Sequence, residues 1–102
     1  MENRAARMTL TFYRRDGCSV CDEAADLLDE ELGVRAAAGR PIPTVEHVDI
    51  ADAADLEARY GPRIPVLVIG DHELDLVVTP ARLRDLLDRA EADAREAASA
   101  WT

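Results

Sequence analysis

The sequence predicts one α/β domain, in which a four-stranded mixed sheet forms the middle of three layers with helices on both faces. The chain has 102 residues, enough for one hydrophobic core but not for a second. Apolar residues make up 48% of the composition, an ordinary fraction for a globular domain. Segments with the period of a strand and segments with the period of a helix follow one another in the order βαβαββα.

The first half of the chain predicts a strand, a helix and a second strand. Residues 8–13 (MTLTFY) alternate apolar and polar side chains, which indicates a strand. From Cys18 onward apolar residues recur at spacings of three and four, which predicts an amphipathic helix with Gly33 as its C-cap. Residues 34–43 are then either a loop or a frayed helical extension followed by a turn. Residues 44–50 (TVEHVDI) are the second strand, parallel to the first because a helix connects them.

The second half predicts a short helix, a β-hairpin and a final helix. Residues 51–60 carry a short helical pattern. Residues 66–69 (VLVI) are entirely apolar, as in a buried strand, and residues 72–78 (HELDLVV) return after a two-residue turn as its antiparallel partner. Thr79 is a suitable N-cap for the last helix, and Pro80 suits its first position.

We expect the folded domain to span residues 8–95, between a flexible N-terminal segment, 1–7, and a frayed C-terminal tail, 96–102. The formal net charge of −9 at pH 7 disfavours nucleic acid and anionic membranes as partners, since both require a basic surface. No apolar run is long enough to span a bilayer, and the polar N-terminal residues lack the apolar segment of a signal peptide. We therefore expect a cytoplasmic monomer.

The two cysteines of the chain, Cys18 and Cys21, stand two residues apart at the predicted start of the first helix. Permanent disulfides are uncommon in the reducing cytoplasm, and a bridge across so small a loop constrains the unfolded chain little. Redox chemistry is a better reason for the pair than stability. A C-x-x-C motif after the first strand of a βαβ unit is typical of thioredoxin-like redox proteins.

These segments together resemble the glutaredoxin family of the thioredoxin superfamily. The resemblance rests on the first strand ending in Tyr13, the basic residues after it, the C-S-V-C motif, the following helix, and the segment 60–66 (YGPRIPV) before the third strand. It extends from residue 8 to about residue 90. It implies a thioredoxin/glutaredoxin-like fold and a dithiol–disulfide oxidoreductase activity.

The expected mechanism assigns Cys18 as the nucleophile and Cys21 as the resolving thiol. At the start of a helix, the sulfur of Cys18 would face unpaired backbone N–H groups and the positive end of the helix dipole, which favour a thiolate. Nearby arginines, Arg14 among them, would add positive potential, while the acidic residues at positions 16, 22 and 23 would oppose it. Cys21, one turn further along, would resolve the mixed disulfide.

The candidate substrate-binding residues are Tyr13, Arg14, Ser19, Val20, Arg63, Ile64 and Pro65. The resemblance implies that Pro65 is cis and faces the cysteines, although a proline that merely begins a strand would give the same sequence. Ile64 would then offer backbone groups to a substrate peptide. Arg63 would bind a substrate carboxylate or remain a solvated loop residue, and Tyr13 would pack beside Cys18 or fill the edge of the core.

The sequence departs from the family at two places. Ser19-Val20 stands where members often carry Pro-Tyr, which changes the redox potential in a direction that the sequence leaves open. Residues 77–81 (VVTPA) occupy the position where the family usually binds glutathione through two glycines and acidic residues, and they contain neither. We expect no bound cofactor. Either glutathione or a thioredoxin-reductase-type enzyme would be the electron donor, and a protein disulfide or a small thiol compound the substrate.

Two other classes of function remain open at this point. The first is a non-catalytic thioredoxin-like binding module with idle cysteines. The second is a metal-binding or iron–sulfur protein, since Cys18, Cys21, His47 and His72 are residue types that bind zinc. The predicted topology separates both histidines from the cysteines, and a cluster shared by two chains would usually require glutathione, so we expect no metal site.

Overall fold

The computed structural model describes residues 8–99. Its strands are β1 (Thr9–Arg14), β2 (Thr44–Asp49), β3 (Val66–Ile69) and β4 (His72–Asp75), and its helices are α1 (Ser19–Ala37), α2 (Ala54–Tyr60) and α3 (Pro80–Ser99). Single turns of 3-10 helix, Ile50–Asp52 and Gly61–Arg63, lie before and after α2. The predicted order βαβαββα is confirmed. The segment 1–7 and the last three residues of the predicted tail lie outside the described residues.

The four strands form one mixed sheet in the order β2-β1-β3-β4. β1 pairs with β2 in parallel and with β3 antiparallel, and β3 pairs antiparallel with β4. The register places Tyr13 opposite Val66, and Val66 opposite Asp75. The end of β1, the start of β3 and the end of β4 therefore meet at one end of the sheet, which we call the cysteine end because α1 begins there.

The two faces of the sheet bury different cores, since successive strand residues point to opposite sides. On one face α1 and α3 cover the main core, in which Leu10, Phe12 and Leu67 are fully buried. On the other face α2 covers a smaller core. The buried members of the smaller core are Ile50, Tyr60 and Val66, with Tyr13, Leu56, Ile64 and Val68 packed against them. The predicted three-layer arrangement is confirmed.

Helix α1 is longer than the sequence predicts. The prediction of Gly33 as C-cap was wrong, because the helix continues to Ala37 and it is Gly39 that adopts the left-handed conformation, with φ of 75°. A glycine inside a helix costs only about 1 kcal/mol relative to alanine. The buried guanidinium of Arg35 makes ion pairs in the turn after Gly33, so tertiary contacts favour continuation of the helix.

Ion pairs around the buried Arg35 and Glu91 connect α1 and the residues after it to α3. The Arg35 side chain lies 3.0 Å from Glu31, 2.8 Å from Asp88 and 3.6 Å from Glu91, and Arg40 pairs with both Asp88 and Glu91. We call these five residues the α1–α3 ion network. A buried charge is costly unless it is paired, and Arg35 and Glu91 are each almost inaccessible to solvent. Hydrogen bonds from Arg35 foremost, and then from Arg40, lower the pKa of Asp88.

The hairpin is shorter than predicted, because β4 ends at Asp75 rather than at residue 78. Leu76 has a positive φ of 63°, and its N–H donates to the carbonyls of Arg63 and Pro65, each at 3.1 Å. The predicted cap of the last helix is confirmed, since the hydroxyl of Thr79 accepts from the N–H of Arg82 at 3.2 Å. No helix within residues 8–99 is long and apolar enough to cross a membrane.

Candidate active site

Cys18 caps the N-terminus of α1. Its backbone is extended (φ −88°, ψ 107°), and its Sγ accepts a hydrogen bond from the N–H of Cys21 at 3.1 Å. Its carbonyl accepts from the N–H of Asp22 at 3.1 Å, the first bond of the helix. Serine, threonine, asparagine and aspartate usually supply the side-chain acceptor at this position. Here a sulfur supplies it, as expected from the sequence.

The two sulfurs are joined by a disulfide bond in this structure. The Cα atoms of Cys18 and Cys21 are 5.2 Å apart, within the range usual for a disulfide. Their surroundings differ: Cys21 is 0% exposed and belongs to the main core, whereas Cys18 is partly exposed and packs on the surface of that core, as Ile64 and Val78 do. Cys18 is therefore in part open to solvent, whereas Cys21 is not.

A tight turn carries the chain from β1 into the cysteine motif. The N–H of Cys18 donates to the carbonyl of Arg15 at 3.3 Å, and Gly17 within this turn has φ of 78°. Residues with a Cβ rarely adopt this left-handed conformation, so glycine suits the position. The turn sets Cys18 at the end of the sheet where β3 begins and β4 ends.

The Ile64–Pro65 peptide bond is cis. The sequence left two alternatives for Pro65, and the cis isomer is the one that the family resemblance implies. Pro65 is buried and directly precedes Val66, whose partner in the sheet is Tyr13 near the end of β1. The cis-proline segment therefore lies at the cysteine end.

Tyr13 lies on the other face of the sheet from the cysteines. Its ring stacks on that of Tyr60 with centroids 4.1 Å apart, and both rings belong to the smaller core beside α2. Burial, followed by the interaction with Tyr60, raises the pKa of Tyr13. Of the two roles that the sequence allowed, filling the edge of a core agrees with this position.

The arginines near the cysteines are paired within the chain. Arg14 forms an ion pair with Asp22 on the first turn of α1, and Arg15 pairs with Glu57 on α2. Arg63 makes two ion pairs, with Glu73 and with Asp75 at 2.8 Å, both on β4. Hydrogen bonds from Arg63, to Glu73 foremost and then to Asp75, raise the pKa of its guanidinium. Arg63 therefore already holds two carboxylates.

Sequence reasoning compared residues 77–81 with the family's glutathione site but did not name Leu76 or Arg82, which lie beside them. Leu76 and Val77 lie there with exposed side chains. Arg82, in the first turn of α3, donates from Nη1 to the carbonyl of Val77 and, at 3.4 Å, to that of Asp75. Because Leu76, Val77 and Val78 continue a strand-like apolar composition, the sequence does not show that β4 stops at Asp75; the positive φ of Leu76 marks its end.

The comparisons with known proteins agree with this geometry. Residues 9–94 match the model of the family described as Glutaredoxin-like domain (DUF836). The chain belongs to this family. The X-ray structure of the Northeast Structural Genomics target protein XcR50 from X. campestris is similar to this glutaredoxin-like domain, with 37% sequence identity and a TM-score of 0.64. The alignment covers 79% of this chain and 97% of that chain. No curated protein matches the sequence.

The histidines of this glutaredoxin-like domain lie apart from its cysteine pair. The ring of His47, on β2, is 5.3 Å from that of Phe12, and His72, at the hairpin turn, bonds to Asp93 on α3. Across residues 8–99, no three histidine, cysteine, aspartate or glutamate side chains form a group that could hold a metal ion. The fold and the cysteine pair are those of a thioredoxin-like redox module.

Proposed function

We propose that this glutaredoxin-like domain is a dithiol–disulfide oxidoreductase that reduces disulfides of proteins or small molecules through Cys18 and Cys21. The observation that carries the proposal is the unequal exposure of two bonded cysteines at a helix start. Cys18 is the more exposed of the two, and its Sγ accepts a hydrogen bond from the helix N-terminus, whereas Cys21 is fully buried. A nucleophile must reach its substrate, whereas a resolving thiol needs only to reach the nucleophile.

The reaction starts from the reduced pair. The Cys18 thiolate attacks one sulfur of the substrate disulfide, a new S–S bond forms, and the substrate's other sulfur leaves as a thiolate and takes a proton. Cys21 then attacks the sulfur of Cys18 and releases the second substrate thiol. The product is the Cys18–Cys21 disulfide, the state present in this structure. Two electrons from an external thiol or flavoenzyme donor restore the dithiol.

The residues around the pair have positioning roles in this proposal. Ser19 and Val20 separate the two sulfurs by one helical turn, and the backbone of Ile64, before the cis proline, lies at the same end of the sheet. An extended substrate segment would pair with that backbone as a short β-bridge. The cytoplasm is the proposed location, because a reductant for the pair is available there.

Turnover of a disulfide substrate tests the proposal. Two coupled assays follow NADPH oxidation, one through glutathione and glutathione reductase and the other through thioredoxin reductase. We expect turnover in at least one, and loss of that turnover in Cys18→Ser. Wild-type protein that is inactive in both assays, or a Cys18→Ser variant as active as wild type, would leave a non-catalytic binding module as the better hypothesis.

A further inference from the structure

Exposed apolar side chains concentrate at the cysteine end. Among residues 8–99, four large apolar side chains are at least half exposed: Val20 (51%), Val34 (62%), Leu76 (50%) and Val77 (61%). Val20 lies between the two cysteines. Leu76 and Val77 follow β4, and the N–H of Leu76 bonds to the carbonyl of Pro65, so they adjoin the cis-proline segment. We call Val20, Leu76 and Val77 the apolar rim.

The exposure of this rim is fixed by specific bonds. Leu76 holds a φ of 63°, a conformation that a bulky side chain rarely adopts. Its N–H is shared between the carbonyls of Arg63 and Pro65, and the guanidinium of Arg82 bonds to the carbonyls on either side of it, those of Asp75 and Val77. The backbone is therefore held in a shape that directs two apolar side chains to solvent.

The charges around the rim do not favour a small anionic ligand. Arg14, Arg15 and Arg63 are each already paired with a carboxylate, and Arg82 donates to main-chain carbonyls. Two further acidic residues, Asp16 and Glu23, have no cationic partner among residues 8–99. The acidic residues at this end are Asp16, Asp22, Glu23, Glu57 and Asp75, so an anionic ligand would meet the unpaired carboxylates of Asp16 and Glu23 there.

We infer that the substrate is a polypeptide disulfide whose cysteine is flanked by apolar, uncharged or basic residues, and that oxidised glutathione is a poor substrate. This inference rests on the proposed function. Val20 lies on α1, whereas Leu76 and Val77 lie beyond the cis proline, so the rim contacts a substrate on two sides. A polypeptide has side chains on both sides of its cysteine. Glutathione instead carries carboxylates that need cations, and the guanidinium groups of Arg14, Arg15 and Arg63 already hold carboxylates of this chain.

The step itself is unchanged from the proposed reaction. The Cys18 thiolate attacks the polypeptide's disulfide, the leaving sulfur takes a proton, and Cys21 displaces the second sulfur, so the polypeptide gains two electrons and two protons and the Cys18–Cys21 pair is oxidised. An external dithiol, dithiothreitol in the assay, regenerates the reduced pair. The apolar rim contributes affinity for the flanking residues, and specificity follows from that affinity.

The test compares three substrates at equal disulfide concentration with dithiothreitol as donor. These are a synthetic peptide disulfide with Leu and Val beside its cysteines, a peptide of equal length with Asp and Glu there, and oxidised glutathione. We expect kcat/KM for the apolar peptide to exceed the other two by about tenfold or more, the effect of burying one aliphatic side chain. Faster reduction of oxidised glutathione than of the apolar peptide would overturn the inference.

A double variant and its control test whether the apolar rim causes the preference for the apolar peptide over oxidised glutathione. Leu76→Asn with Val77→Asn removes the apolar surface, and asparagine tolerates positive φ, so the loop keeps its shape. The ratio of apolar-peptide to glutathione kcat/KM should fall about tenfold in this double variant. The matched control is Val34→Asn, an equally exposed valine on the far half of α1, which should leave the ratio unchanged. An unchanged ratio in the double variant would refute the role of the rim.

A third variant tests the charge argument by gain of function. Glu73→Gln with Asp75→Asn frees Arg63 from both of its partners. Reduction of oxidised glutathione should then rise several-fold, and the rise should disappear in high salt because the attraction is screened. Glutathione turnover that stays at the wild-type rate would contradict the charge argument.

Failure of the inference and failure of the proposed function give different results. If none of the three substrates is reduced faster than by Cys18→Ser, the proposed function fails. In that case fluorescence anisotropy measures the affinity of the protein for the apolar and the acidic peptide, each with serine in place of cysteine. These affinities test the apolar rim without any reaction. Equal affinity for the two peptides would refute the inference as well, whereas tighter binding of the apolar peptide would support it.

Discussion

The backbone N–H of Cys21 donates a hydrogen bond to Sγ of Cys18 across 3.1 Å. Cys18 is the more exposed cysteine of the pair, and its sulfur is the side-chain cap of α1. An anion at this position is stabilised by the orphan N–H groups of the first turn and by the helix dipole. The Cys18 sulfur that caps α1 is thus also the atom that we propose as the nucleophile.

Alkylation of the reduced protein should distinguish the two thiols. We expect iodoacetamide to modify Cys18 well before Cys21, because Cys21 is fully buried and only the thiolate reacts. The pH at which the Cys18 rate is half-maximal should lie below about 8.5, the ordinary value of a free thiol. Peptide mapping by mass spectrometry after timed quenching measures both rates. Equal rates for the two cysteines would contradict the assignment of roles.

Substitution of the capping sulfur should affect stability according to the acceptor that remains. Cys18→Ser keeps a good N-cap, whereas Cys18→Ala removes the acceptor and should cost about 1 kcal/mol of unfolding free energy relative to serine. Urea denaturation of both variants under reducing conditions, followed by far-UV circular dichroism, gives the difference. Identical midpoints for serine and alanine would show that the cap contributes nothing.

The α1–α3 ion network should be sensitive to loss of its central cation. Arg35→Ala removes a buried guanidinium from Glu31, Asp88 and Glu91, and should lower the unfolding free energy by about 3 kcal/mol. The matched control is Arg89→Ala on α3, whose exposed pair with Asp85 should contribute less than about 1 kcal/mol. Equal losses in the two variants, measured by urea denaturation, would argue against the network.

Acid should weaken the same network through Asp88. The pKa of Asp88 is lowered in the fold, by Arg35 foremost, so its ionised form stabilises the native state above its ordinary pKa and this stabilisation is lost as pH falls through the lowered value. Asp88→Asn should therefore be less stable than wild type at pH 7, and the two should converge below about pH 4. Because Asp88 is largely solvent-exposed, added salt should reduce the difference.

The matched variant for this pH series is Asp85→Asn, one turn earlier on α3. Asp85 pairs only with the exposed Arg89, so its substitution should leave the pH dependence of unfolding close to that of wild type. If the difference in unfolding free energy between wild type and Asp88→Asn stays constant from pH 7 to pH 3, the proposed role of Asp88 is contradicted.

The order of elements and the position of the cysteines could be predicted because local patterns determine them. Strict alternation marks β1, and the change of period at Cys18 marks the start of α1. The end of α1 could not be predicted in this way, since it depends on Arg35 meeting Asp88, 53 residues further along the chain. Until α3 is in place, Gly33 is an equally reasonable end for the helix.

The lining of the candidate site was predicted only in part for a related reason. The pairing of Arg63 with Asp75 follows from the register of the β3–β4 hairpin, which the sequence does not specify to the residue. The end of β4 depends on the N–H of Leu76 bonding to Arg63 and Pro65 instead of to a neighbouring strand. The Arg63–Asp75 ion pair and the Leu76 hydrogen bonds both join the segment before β3 to the end of β4, and local sequence periodicity carries no information about such contacts.

Because the cap of α1 is the sulfur of Cys18, ionisation of this thiol and folding of the domain are coupled equilibria. In a thermodynamic cycle, the free energy with which the fold favours ionisation of Cys18 equals the free energy that ionisation adds to the fold. In the proposed reaction, a substrate that takes this sulfur into a mixed disulfide removes the ionised cap, so the stabilisation that ionisation adds to α1 is absent from that intermediate. In the proposed cycle, the stability of the helix terminus thereby changes with the chemical state of Cys18.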